Sequence, residues 1–109
     1  MGNNRAVDIY TATEECLVTL NGYVGYTEIA NEVTMVANIY IEGKVINASS
    51  SIGRPNLALN IQLSSIVRLK RGEKLKLQVG SSQTVEKATA NIHYFLKVLP
   101  LVEKVTAPI

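Results

Sequence analysis

Between Leu57 and Val79 the sequence reads LALNIQLSSIVRLKRGEKLKLQV, and no other stretch restricts the fold as strongly. Leu57, Leu59, Ile61, Leu63, Val67 and Leu69 fall on alternate positions, with Ser65 in the same series. Successive side chains of a strand point to opposite faces, so this spacing predicts a strand with one buried face. Lys70, Arg71, Gly72 and Glu73 then make a polar turn around the residue that takes positive φ most freely. The alternation resumes with Leu75, Leu77 and Val79 on one side and Lys74, Lys76 and Gln78 on the other. Two one-faced strands joined by so short a turn predict an antiparallel hairpin.

The same period recurs along the chain. Residues 6–10 form a short strand candidate, and 11–15 a turn or loop. Residues 16–24 alternate Cys16, Val18, Leu20 and Val24 against Thr19, Asn21 and Tyr23, with Gly22 marking a bulge or a close backbone approach. Residues 25–32 read as a polar turn. Residues 33–42 carry the cleanest alternation, Val33, Met35, Ala37, Ile39 and Ile41. Glu42-Gly43 is a two-residue turn, and 44–48 return as a short strand. Residues 49–56, SSSIGRPN, are the most loop-like segment. A polar loop follows at 80–87, with a weak helix signal over 85–90. Residues 90–99 are the last strand. Ile92, Tyr94, Leu96 and Val98 share one face; His93, Phe95, Lys97 and Leu99 share the other. Apolar groups on both faces predict cover on both sides. The expectation is an all-β, antiparallel sandwich of about eight short strands in one domain spanning 1–109, with a loose lead at 1–5 and a tail at 100–109.

Composition narrows the function classes. Hydrophobic residues make up 47% and charged residues 18%, which is the balance of a folded chain. Net charge is +2, too small to imply nucleic acid. The local basic cluster, Lys70, Arg71, Lys74 and Lys76 with Arg68 before it, reads as a solvated turn and strand face. The single cysteine, Cys16, lies in an apolar pattern and reads as a buried structural thiol. The first fifteen residues lack a targeting pattern, and no apolar run reaches the ~20 residues that span a bilayer. Ala6 stands where an N-myristoylation motif wants Ser or Thr. These signs predict a chain made in the cytoplasm, without a membrane partner.

No catalytic constellation is legible, and the chain reads as a non-enzyme without cofactor. A Ser/His/acid triad would have to use His93, the only histidine, and no Gly-x-Ser-x-Gly elbow exists. One His and one Cys without paired spacing are too few for a metal site. Gly22, Gly25 and Gly43 precede no helix that would make them a phosphate loop. The five scattered tyrosines read as core and interface fillers.

From Val18 to Val79 the order of features resembles the C1q/TNF-like jelly roll, in its bacterial and phage versions. A Gly22-Tyr23 strand precedes IYIEGKVI at 39–46, and a leucine-rich strand runs into VRLKRGEKLKLQV at 67–79. Leu69, Gly72, Glu73, Leu75 and Leu77 fit the family's Leu-x-x-Gly-Asp-x-apolar-x-apolar pattern, with Glu73 in the place of Asp. NIHYFLKV is similar to the family's final strand. The likeness spans about 14–99. The chain is shorter than typical members, and its single aspartate, Asp8, argues against the family's calcium site. The resemblance implies a homotrimer with His93, Phe95, Lys97 and Leu99 at the threefold axis. It further implies a virion role, as a capsid decoration protein or fibre head bound to a viral capsid or another large protein surface. The alternative is a soluble glycan- or protein-binding module that uses a loop containing Ser50, Arg54 and Asn56.

Overall fold

The computed structural model describes residues 4–85 and 87–101. Seven strands make up the fold: β1 (Asn4–Thr11), β2 (Cys16–Thr27), β3 (Val33–Ile41), β4 (Lys44–Gly53), β5 (Leu59–Leu69), β6 (Lys74–Ser81) and β7 (Thr89–Pro100). They form an antiparallel β-sandwich, with one sheet ordered β1-β6-β3-β4 and the other β5-β2-β7. β1 pairs with β6, β2 with β5 and β3 with β4. This nesting is the wrapping of a jelly roll, and β7 is added on the far side of β2. No helix occurs among the described residues, and the weak helix signal over 85–90 gives way to β7 at Thr89.

Alternation places the core. β2 contributes Val18, Leu20, Val24 and Tyr26; β3 contributes Met35, Ala37 and Ile39; β6 contributes Leu75, Leu77 and Val79. Ile61, Leu63, Val67 and Leu69 close the core from β5, as the odd-numbered series requires. Ile29 and Val85 plug it from the loops. Tyr26 is the largest side chain fully buried. Its hydroxyl donates to the Val36 carbonyl at 2.5 Å and accepts from the Gly80 amide at 2.9 Å, linking the smaller sheet to β3 and β6.

Several expectations are corrected. The stretch from Leu57 to Val79 is not a hairpin: β5 belongs to the three-stranded sheet and β6 to the four-stranded one. Both strands bury one face in the same core, so the chain crosses from one sheet to the other instead of doubling back within one. The crossing turn is pinned from outside. Gly72, at φ 87, donates its amide to the Ala12 carbonyl at 2.8 Å, and Ala12 donates to Glu73 at 2.9 Å. Glu73 closes the turn by accepting the Lys70 amide at 2.6 Å.

The segment 49–56 is also mostly strand. Ser49 to Gly53 continue β4 in register, from Ser49 opposite Ala37 to Gly53 opposite Val33. Their composition misled because Ser49 and Ser51, opposite the inward Ala37 and Met35, remain half-buried and exposed, respectively, at the edge of the sandwich, where small polar side chains are tolerated. Leu57 stays outside β5 and exposed. The turn expected at 25–32 starts late, because Gly25, Tyr26 and Thr27 extend β2 and Tyr26 is a core residue. Within the expected loose lead, Asn4 and Arg5 are the first residues of β1, while 1–3 lie outside the described residues. Pro100 ends β7, and of the tail beyond Leu101, 102–109 lie outside them as well.

The two-residue turn holds as expected, with Glu42 and Gly43 at φ 45 and 83, the double positive φ of the hairpin turn that matches strand twist. Gly22 is a close approach and not a bulge. A Cβ there would lie 2.1 Å from the His93 carbonyl oxygen and 2.7 Å from the Tyr94 Cα.

Candidate functional site

The outer face of the three-stranded sheet is the surface with the most exposed apolar character that sequence had singled out. Register arranges it in rows across β5, β2 and β7: Gln62–Tyr23–His93, Ser64–Asn21–Phe95, Ile66–Thr19–Lys97 and Arg68–Leu17–Leu99. His93, Phe95, Lys97 and Leu99 therefore lie on one face, as the alternation predicts. All four are exposed, Phe95 at 66% and Leu99 at 55%. Ile66, at 69%, adds a third large apolar side chain.

Local contacts order this face. The Tyr23 and His93 rings stack at 4.7 Å with 22° between planes, so the one histidine packs on a neighbour. Ser64 Oγ donates to Asn21 Oδ1 at 2.9 Å. The Arg68 guanidinium pairs with Glu15, which holds the lower rim. Ile66 was missed by sequence reading, although its signal was present: an isoleucine in the polar phase of β5. Leu17 has the same status on β2.

β7 itself is not covered on both sides. Among the described residues it is an edge strand bonded to β2 alone. Its inner face, expected to fill the core, is half-buried: Tyr94 is 48% exposed and Val98 36%, while Ile92 and Leu96 pack at the core margin.

The residues of the alternative ligand loop do not form one loop. Ser50 sits in β4 opposite Val36. Arg54 and Asn56 lie in the following turn, where Leu57 donates to the Arg54 carbonyl and Asn56, at φ 62, donates to Ile29, each at 3.2 Å. Four residues of extended chain separate Ser50 from Arg54 by about 13 Å.

The basic cluster is dispersed. Lys76 pairs with Asp8 at 3.6 Å and Arg68 with Glu15, which leaves Lys70, Arg71 and Lys74 in solvent around the crossing turn. Cys16 is buried, and burial pushes its thiol above the ordinary value, with Glu14 adding to the effect. Among the described residues no group of three His, Cys, Asp or Glu side chains is placed to hold a metal ion, and no helix is long and apolar enough to cross a membrane.

A cleft of about 520 Å³ opens on the side where β1 and β7 fail to meet. Tyr26, Val79 and Met35 form its floor, Val7 and Ile92 its apolar walls, and Arg5 stands at its rim. No protein-family model, curated protein or solved structure matches the chain.

Proposed function

We propose that this chain is a non-enzymatic, self-assembling structural protein that works as a homotrimer. A virion component, either a capsid decoration protein or a fibre head docked on a capsid surface, is the role that fits best. The carrying observation is the outer face of β5, β2 and β7, on which Phe95, Leu99 and Ile66 are each exposed. Several large apolar side chains exposed on one face of a small domain are characteristic of an association site. A threefold arrangement gives each copy the same cover from its neighbours. Burying one Phe side chain contributes ~1.5–3 kcal/mol, so three copies supply a substantial central term.

The test is sedimentation of the purified chain and two variants. Phe95→Asp places three carboxylates in the shared interface and is expected to give monomers. Lys44→Asp, on the exposed end of β4, is expected to leave the trimer intact. A Phe95→Asp protein that still sediments as a trimer defeats the assignment of the axis to β7. Co-sedimentation of the trimer with purified capsids then tests the virion role.

A further inference from the structure

Four strands face three. β4 lies against β5, and β3 also reaches β5. Counting inward from that side leaves β1 without a counterpart in the smaller sheet, and no described residue runs beside the free edge of β7 where an eighth strand would lie.

The four sheet edges are not alike. Edge strands in soluble proteins are blunted by bulges, inward charges or cover. β1 has a register shift between Asp8 and Tyr10, and Arg5, opposite the inward Val79, lies on its inner face. β4 has a shift between Ile39 and Tyr40 of its partner, and Asn47 Nδ2 donates to the Ser64 carbonyl of β5 at 3.3 Å, which ties those two edges together. β7 has neither device. Its register with β2 runs unbroken from Thr27 opposite Thr89 to Cys16 opposite Pro100. Its inner face, Ile92, Tyr94, Leu96 and Val98, is apolar throughout and half-open.

We propose that the β7 edge is a docking site for an extended segment of another protein, which adds as an eighth strand and closes the sandwich. The sheet order, four strands facing three, selects a single strand. β1 overhangs the vacant place from the opposite sheet, so in an antiparallel pairing of two β7 edges the second copy's larger sheet would run into this overhang. Strands in a sheet lie ~4.8 Å apart and facing sheets ~10 Å, which is the space one added strand fills.

The chemistry of the segment follows from the lining. Its inward side chains meet Ile92, Tyr94, Leu96 and Val98 across the new pair and Val7 across the cleft, so they are apolar at alternate positions. Near the start of β7 the segment passes Arg5, which has no ion pair among the described residues. Lys87 lines the same cleft, held at 3.6 Å from Glu28, while β7 carries Lys97 and no carboxylate. The partner strand is therefore an acidic one, with a Glu or Asp that reaches Arg5. This site does not depend on the trimer, which uses the opposite face of β7.

The test uses a fluorescein-labelled ten-residue peptide that alternates Val with Thr and carries Glu at both ends. Two control peptides accompany it, one with the same residues in non-alternating order and one with Lys in place of Glu. Fluorescence polarisation is expected to show one alternating, acidic peptide bound per chain, with at least tenfold weaker binding of each control. Hydrogen exchange is expected to slow along 90–98 when that peptide is bound. Tyr94→Glu is expected to weaken binding at least tenfold, and Ile52→Glu on the outer face of β4 to leave it unchanged. Arg5→Glu, on an edge strand where folding tolerates it, is expected to invert the preference and favour the Lys peptide. Equal binding of alternating and shuffled peptides, or an Arg5→Glu chain that keeps the acidic preference, overturns the proposal. So does peptide-independent self-association that Tyr94→Glu abolishes, because the gap then belongs to a second copy.

Discussion

β3 and β7 read alike in sequence and end in opposite surroundings. Each alternates large apolar residues over nine or more positions. In β3 every odd residue from Val33 to Ile41 is buried; in β7 no residue is. The difference lies in the neighbours. β3 is held between β6 and β4 and faces the other sheet, whereas β7 has β2 on one side and no partner on the other among the described residues. Period two specifies which side chains share a face. Whether that face is covered depends on the order of strands in the sheet, which is a property of the whole chain.

The largest test of this contrast compares matched truncations. Ile39→Ala empties a fully buried site and is expected to cost ~2–5 kcal/mol. Leu96→Ala on β7 removes a side chain at the core margin and is expected to cost about 1 kcal/mol, since less apolar area returns to water. Urea denaturation measures both, and equal costs would erase the distinction between the strands. Next in size, Gly22→Ala forces a methyl against the backbone of β7 and is expected to cost about 3 kcal/mol, the upper end for overpacking. Its particular signature is fast amide exchange in β7 with β3 still protected.

Tyr26→Phe acts on the other arm. It leaves the Gly80 amide and the Val36 carbonyl without their hydroxyl partner, at ~1–3 kcal/mol, and is expected to loosen β3 and β6 while sparing β7. The same residue gives a pH dependence. Burial raises the Tyr26 phenol above its ordinary 10.0, although the Gly80 backbone hydrogen bond pulls the other way. Burial likewise raises the Cys16 thiol above 9.0. In each case the unfolded chain loses its proton first, so stability is full below pH 9 and falls as pH rises beyond it. Thermal melts across that range are expected to show a shallower fall in Tyr26→Phe. Smallest of all, Arg68→Ala removes an exposed ion pair and is expected to change stability by less than ~1 kcal/mol.

These contrasts mark what sequence could and could not convey. All seven strands were visible in outline, because alternation, Gly72 and the Glu42-Gly43 turn are local signals. The crossing between β5 and β6 was not visible, since a hairpin and a sheet-to-sheet turn both need one-faced strands and a short polar link. What separates them is the contact of Gly72 and Glu73 with Ala12, some sixty residues away in the chain. Serines 49–51 obscured β4 for a different reason: its inner face needs little apolar mass. At the candidate interface, Phe95 and Leu99 were legible as a second apolar face. Ile66 and Leu17 join them only through the register with β2.

The nested pairing also dictates the order in which the molecule can be made. The β3–β4 hairpin is the one pairing between chain neighbours, closed by Glu42 and Gly43. β2 must wait for β5, β1 for β6, and β2 again for β7, the last strand made. Topologies dominated by such distant pairings fold in milliseconds to seconds, slower than helical chains of similar size. On a ribosome adding ~5–20 residues per second, β1 waits several seconds before its partner exists. Throughout that interval the core faces of β2 and β3 are in water, so the nascent chain is most vulnerable to misassembly before β6 emerges.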